Sequence, residues 1–217
     1  MSLLSWNCRG LGNPRTVRDL CQLVKEKQPR FLFLMETKIR HHRMQQIRCK
    51  IGFAGMLSID PIGLGGGIAL LWKHADEVII QNYTHHHISA TMVMGASFAS
   101  WKFTGFYGHP DRVHREETWK LLSFLKDSSP TPWLCVGDFN EILDNSEKFG
   151  GVLRSERQME CFRSVLEDCN LGDLGYRGSK FTWTNCRGVG QFIRKGLIVQ
   201  RLIQSGVPYL EKLKCQS

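Results

Sequence analysis

Five polar residues close apolar runs at widely separated points of the chain: Asn7 after Leu3-Leu4-Ser5-Trp6, Glu36 after Phe31-Leu32-Phe33-Leu34-Met35, Tyr107 after Gly105-Phe106, and Asp138 with Asn140 after Trp133-Leu134-Cys135-Val136-Gly137. Two carboxylates, two carboxamides and a phenol are groups that could act together on a polar substrate if they converged. An apolar run that breaks at a glycine and at once presents such groups reads as a buried strand of a layered α/β sheet, and the loop beyond the strand end is where these folds place their chemistry. Taken singly, a carboxylate at a strand end is more often a helix cap or a turn residue. Four strands ending this way make residues 133–141 the centre around which a site is sought.

The elements needed to position them follow from periodicity. Residues 3–8 read as a first strand closing on Arg9-Gly10-Leu11-Gly12, and Asn13-Pro14 starts a helix, with the amide as N-cap and proline at the first helical position. Val17, Leu20, Cys21 and Val24 recur on one face of it through Lys27, and residues 30–35 form a second, wholly apolar strand. Strand, helix, strand implies a sheet covered by helices. A weaker helix carries Met44, Ile47 and Ile51. Residues 68–72, 78–81, 88–94 and 100–107 read as further strands, the later ones as an antiparallel meander. Helices follow over residues 115–125, with Trp119, Leu122 and Leu125 on one face, and over 155–169, with Met159, Phe162, Val165 and Leu166 inward. Residues 128–132 and 171–175 read as loops and 181–185 as a last strand.

Two motifs have plainer readings than their composition suggests. Gly63-Leu64-Gly65-Gly66-Gly67 lacks the Lys-Ser/Thr of a phosphate-binding loop and precedes a strand rather than a helix, so it reads as a turn or bulge. His85-His86-His87 lies between two strands, where consecutive side chains point to opposite faces, so it reads as an exposed loop rather than a metal site.

Composition narrows the class. At 217 residues the chain is long enough for one sizeable core, and a formal net charge of +9 suggests a polyanionic partner, since Lys and Arg gain affinity by releasing phosphate counterions. The first twelve residues reach Trp6-Asn7-Cys8-Arg9 too soon to hold a signal sequence, and no apolar run approaches membrane-spanning length. A nuclear or cytoplasmic, non-secreted protein without a membrane partner is expected. The eight cysteines contain no C-x-x-C pair, which argues against a zinc ribbon or a disulfide scaffold.

In order and local context, Trp6-Asn7-Cys8-Arg9-Gly10, Met35-Glu36-Thr37-Lys38, Gly105-Phe106-Tyr107-Gly108 and Gly137-Asp138-Phe139-Asn140 resemble the motifs of the endonuclease/exonuclease/phosphatase superfamily. The resemblance spans nearly all of residues 2–193. It is strongest to the apurinic-type endonuclease domain of plant non-LTR, LINE-type retrotransposons, which similarly carry the Leu-x-Asp-Leu-Gly-Tyr-x-Gly-x-x-Phe-Thr-Trp stretch found here at residues 171–183. It implies a four-layer α/β sandwich of two packed mixed β-sheets flanked by helices, and a metal-dependent phosphodiesterase that nicks DNA to leave a 3′-hydroxyl for reverse transcription. By the same resemblance Glu36 is the ligand of Mg²⁺, with Mn²⁺ as a substitute, and Asn7 helps order the metal or the phosphate. Asp138 orients or deprotonates the attacking water, Asn140 and Tyr107 donate to phosphoryl oxygens, and Arg9 and Lys38 help hold the DNA backbone. A monomer, once fused to a reverse transcriptase, is implied. Phosphoesterase activity on inositol phosphates or another small ester, and a non-catalytic nucleic-acid-binding remnant or pseudogene product, are the alternatives.

Two family motifs do not follow Trp183: Arg-Leu-Asp, whose aspartate orients a histidine, and Ser-Asp-His, which supplies it. No histidine occurs after His114. The family-like domain is therefore read as residues 1–193, incomplete, with 194–217 an atypical tail that lacks the last family strands and in which Leu197, Ile198, Val199, Leu202 and Ile203 form a substitute helix or a disordered, aggregation-prone segment. Suitable codons for residues 194–206 encode Glu-Arg-Leu-Asp in another frame, which is compatible with a shifted reading frame. Impaired turnover is expected.

Overall fold

A computed structural model describes residues 2–63, 65–93, 100–126 and 131–173, together with the backbone of four short strands nearer the C-terminus. Fourteen strands among these residues form two large sheets and one small one. The first sheet has the order β14 (Lys212–Cys215), β1 (Ser2–Asn7), β2 (Phe31–Met35), β4 (Ile68–Trp72), β3 (Gly55–Ile59). The second has the order β10 (Gly172–Asp173), β13 (Leu202–Ile203), β8 (Trp133–Asp138), β7 (Trp101–Tyr107), β6 (His87–Met92), β5 (Val78–Thr84). The small sheet joins β11 (Trp183–Asn185), β12 (Ile193–Lys195) and β9 (Lys148–Phe149). Both large sheets are mixed: β1 with β2 and β7 with β8 run parallel, while β2–β4 and the β5–β6–β7 meander are antiparallel.

Strand alternation sorts the apolar runs into layers. Phe31, Phe33 and Met35 of β2 face Phe103, Leu134 and Val136 of the second sheet, while Leu32 and Leu34 face outward onto helices α1 (Pro14–Lys27) and α2 (His41–Ile51) through Leu20, Val24, Met44 and Ile47. Trp133 and Cys135 of β8 likewise face away from the sheet interface, onto α3 (Arg115–Leu125) and α4 (Glu156–Asp168) through Trp119, Leu122 and Phe162. Helix, sheet, sheet, helix is the four-layer sandwich. A run that is apolar at every position is what a strand covered on both faces requires.

The helix α1 starts as its sequence prescribes, with Asn13 capping Arg15 N–H at 2.9 Å and Pro14 in the first turn. The strand β3 has no counterpart in the sequence pattern, since Gly55–Ile59 shows no clear alternation and is half-buried along its length. In the tail, where a helix or a disordered segment was expected over residues 197–203, the backbone at Leu202–Ile203 is a strand antiparallel to β8, and Lys212–Cys215 lies parallel to β1. Pairing to an open sheet edge outweighs a weak local pattern. Gly172–Asp173, expected in a loop, pairs with β13 for the same reason. Leu64, residues 94–99 and 127–130, and most of the stretch 171–183 and of the tail lie outside the described residues.

Candidate active site

Asn7, Glu36, Tyr107 and Asp138 stand at the ends of β1, β2, β7 and β8, two from each large sheet. Packing the sheets face to face brings them together. The Asn7 carboxamide donates from Nδ2 to Glu36 Oε1 at 2.9 Å and to Asp138 Oδ2 at 3.1 Å, while its Oδ1 accepts the backbone N–H of Arg9 at 3.3 Å. This orientation is chemically required, because the opposite one would turn a carbonyl oxygen onto two carboxylates. Lys38 Nζ lies 3.0 Å from Glu36 Oε2, and the Tyr107 hydroxyl bonds to the same carboxylate.

The electrostatics follow from these contacts. Burial works to raise the Glu36 pKa, but hydrogen bonds from Asn7 and Lys38, the Lys38 charge and the Tyr107 bond outweigh it, so the net shift is downward. Burial, with the nearby Glu36 and Asp138 carboxylates, pushes the Tyr107 phenol well above its ordinary range, so it acts as a donor. Asp138 is 5% exposed and its Oδ1 accepts the backbone N–H of Asn140 at 2.9 Å. Asn140 joins the group through that bond and spends one side-chain hydrogen on Gly108 O at 2.7 Å.

The local backbone is unusual where these groups sit. Arg9, Glu36, Lys38 and Asn140 all have φ between 52° and 57°. Outside glycine this left-handed region is sparsely used and clusters at functional sites. The glycine run has a part in it: Gly67 O and Gly66 O accept the N–H groups of Thr37 and Lys38 at 3.0 and 3.1 Å, holding the segment after Glu36 in place. A Cβ on Gly67 would stand 2.5 Å from Thr37 Oγ1. Of the run, Gly65 bridges back to Ile62, in keeping with a turn or bulge, and Gly66 and Gly67 have a supporting task the sequence did not reveal.

Several contributors were not singled out from sequence. Met35 Sδ accepts Asp138 N–H at 3.2 Å, tying the two sheets directly behind the carboxylates. Cys8 donates its thiol to Met35 O at 3.1 Å, and burial pushes its pKa up to about 12, which makes it an inert structural thiol. Cys8, Cys21, Cys49, Cys135, Cys161 and Cys169 are free thiols. The three histidines divide: His85 is exposed, His86 is half-buried against Tyr107 O at 3.0 Å, and His87 is buried between Asn82 and Thr84. Exposure as one loop therefore holds only for the first of them.

The donor set bears on metal binding. Among the described residues no group of three or more His, Cys, Asp or Glu side chains forms a metal site. Glu36 and Asp138, bridged by one amide, offer hard oxygens in small number, which fits a cation such as Mg²⁺ that keeps most of its waters.

A family model described as the Endonuclease/Exonuclease/phosphatase family matches residues 4–194. The chain belongs to that family. Its fold is shared with an AP endonuclease from Archaeoglobus fulgidus (14% identity, TM-score 0.67, 92% of this chain and 85% of that one). It is also shared with the 3′ phosphatase NExo from Neisseria, solved bound to product DNA hairpin (17%, 0.66, 92% and 85%). A third such structure is the endonuclease domain of TRAS1, a telomere-specific non-LTR retrotransposon (15%, 0.61, 93% and 83%). No curated protein matches the chain in sequence. Among the described residues no helix of this family member is long and apolar enough to cross a membrane.

Proposed function

We propose that this protein is a Mg²⁺-dependent phosphodiesterase that nicks DNA to leave a 3′-hydroxyl, of the kind carried by plant LINE-type retrotransposons, with reduced turnover. The observation that carries the reading is the Asn7 amide bridging the Glu36 and Asp138 carboxylates beside the Tyr107 hydroxyl, in a chain of this family. The net charge of +9 favours a polyanion over a small ester. The retroelement-like Leu-x-Asp-Leu-Gly-Tyr stretch favours the retrotransposon endonuclease.

Glu36, held in place by the Asn7 amide, would ligate the metal, which when bound would supply Lewis-acid stabilisation of charge developing on the phosphoryl oxygens. The chain's own residues do the rest. Asp138, oriented through Oδ1 by the Asn140 N–H, takes a proton from the attacking water. The second amide hydrogen of Asn140, and the Tyr107 hydroxyl on turning from Glu36, donate to phosphoryl oxygens, and such donors favour the charge of the transition state over the ground state. Arg9 and Lys38 border the DNA backbone. Reduced turnover is part of the proposal because, where the family pattern sets Arg-Leu-Asp, the chain reads Arg194-Lys195-Gly196-Leu197-Ile198, and losing the support of one preorganised donor costs about two to three orders of magnitude in rate.

Nicking of supercoiled plasmid tests this reading. Slow relaxation is expected in Mg²⁺ or Mn²⁺, none in EDTA, and none from Asp138→Ala under any condition. Relaxation by Asp138→Ala equal to wild type, or turnover confined to an inositol phosphate, overturns it.

A further inference from the structure

Directly after Asn140 the chain places Glu141, whose side chain is fully buried. Two arginines from different parts of the chain reach it. Arg154 Nε stands 3.2 Å from Oε1 and Arg115 Nη1 3.5 Å from Oε2, and the side chains of both are largely buried. Each guanidinium also reaches a backbone carbonyl of a strand-end loop. Arg154 Nη2 donates to Asn140 O at 3.4 Å and Arg115 Nη2 to Pro110 O at 3.0 Å.

These bonds close a circuit. Gly108 N donates to Asp138 O at 2.7 Å, Asn140 Nδ2 donates to Gly108 O, and Asn140 O is held by Arg154. Arg154 pairs with Glu141, Glu141 with Arg115, and Arg115 returns to Pro110, two residues beyond Gly108. The loops after β7 and β8, which carry Tyr107, Asp138 and Asn140, are thereby clamped to each other.

We propose that Glu141, Arg154 and Arg115 form a positioning unit that holds Asn140 in its left-handed conformation and aims its carboxamide. This rests on the reading of Asn140 as a donor to the phosphoryl group. Two observations favour positioning over plain stability. Burying charge is expensive, and buried ion groups often add little net stability compared with apolar residues of the same volume. Second, the unit is imperfectly satisfied as an ion pair: neither Arg115 Nε nor Arg154 Nε has a hydrogen-bond partner, the latter meeting Glu141 as a charge contact alone, and burial together with Arg154 works against the Arg115 charge, opposed by Glu141. What the geometry does satisfy is the pair of loop carbonyls. Two guanidinium groups and one carboxylate also leave one net positive charge behind Asn140, the sign a phosphodiester would favour. The residues act through Asn140 and do not themselves reach the reacting atoms.

The selective variant is Arg154→Lys, which keeps the charge opposite Glu141 but has one nitrogen and cannot also hold Asn140 O. Glu141→Gln keeps the shape and removes the charge at the hub. In ¹⁵N-labelled protein the Asn140 side-chain amide signals are identified by their disappearance in Asn140→Asp. In both Arg154→Lys and Glu141→Gln these signals should shift and their hydrogen exchange should quicken about tenfold, with amides of β1, β2 and β4 unmoved; the surface control Arg163→Lys should change neither. Asn140 signals identical to wild type in both variants, or shifts spread over the whole spectrum, overturn the proposal. Plasmid nicking is the separate second readout. If wild type turns over, Arg154→Lys should lower kcat about tenfold at unchanged KM, and an unchanged kcat also counts against the proposal. A wild type without turnover overturns the phosphodiesterase reading and leaves the amide signals to decide the positioning role.

Discussion

The carboxamide of Asn7 donates to Asp138 Oδ2 at 3.1 Å across 131 positions of chain. Its other acceptor is Glu36 Oε1, so one neutral donor separates two carboxylates that would otherwise repel. The amide thereby makes it possible for a half-buried and a buried carboxylate to face each other at the rim of the sandwich.

Replacing that amide by a carboxylate should invert the pH response of stability. In the wild type, Glu36 has a pKa below its ordinary 4.5, so its contribution is present above pH 4.5 and lost as pH falls through the folded value. Asn7→Asp removes the donor and adds a like charge, which raises the Glu36 pKa. The variant should melt below wild type at pH 7, and the gap should narrow as pH falls toward 4. Added Mg²⁺ should narrow it too. Thermal unfolding at several pH values checks this, and a pH-independent gap would count against it.

Tyr107→Phe removes a hydroxyl that bonds Glu36 and stays protonated throughout the working range. Plasmid nicking by the variant should fall about a hundred- to a thousandfold, in keeping with the loss of one transition-state donor. Since the phenol is pushed far above its ordinary pKa, the rate profile of the wild type should show no limb from its ionisation up to pH 9. A Tyr107→Phe variant as fast as wild type would remove the residue from the site.

Gly137→Ala probes the approach of β7 to β8. A Cβ at Gly137 would fall 1.7 Å from Phe106 O, backbone that cannot yield without parting the strands. Overpacking of this kind costs about 1–3 kcal/mol and more where backbone must move. The expected result is a cooperative transition at lower urea concentration with an unchanged slope, or insoluble protein. Unfolding at the wild-type midpoint would contradict the strand register.

His87 should shape the acid limb. It is 2% exposed, and burial, with His86 and Lys102 nearby, lowers its pKa from 6.5 to about 4. The unfolded chain therefore binds a proton between pH 6.5 and 4 that the folded chain refuses, and stability falls as pH drops through that window. His87→Gln, which can still bond Asn82 and Thr84, should flatten this part of the profile. Denaturant midpoints at pH 7, 5.5 and 4 measure it, and parallel profiles for the two proteins would refute it.

Much of the layer plan was legible because it rests on short-range physics. Apolar runs at residues 31–35, 68–72 and 133–138 are too evenly hydrophobic for a half-exposed sheet, and Asn13-Pro14 marks its helix unaided. The positions of Asn7, Glu36, Tyr107 and Asp138 at strand ends were legible too, since each ends an apolar run. Pairing partners were less so. The strand Gly55–Ile59 and the tail strands at 202–203 and 212–215 owe their form to an available sheet edge, which no local pattern announces.

What the sequence determined by itself is the set of reactive groups, their order and the strands that carry them. What only the tertiary structure decided is which groups share an environment. Asn7 bridges two carboxylates, Met35 sulfur meets the Asp138 amide, and Glu141 becomes the hub between Arg115 and Arg154. The reason is physical: hydrogen bonds and charges act over a few ångströms of space, whereas these partners lie from 13 to 131 positions apart along the chain.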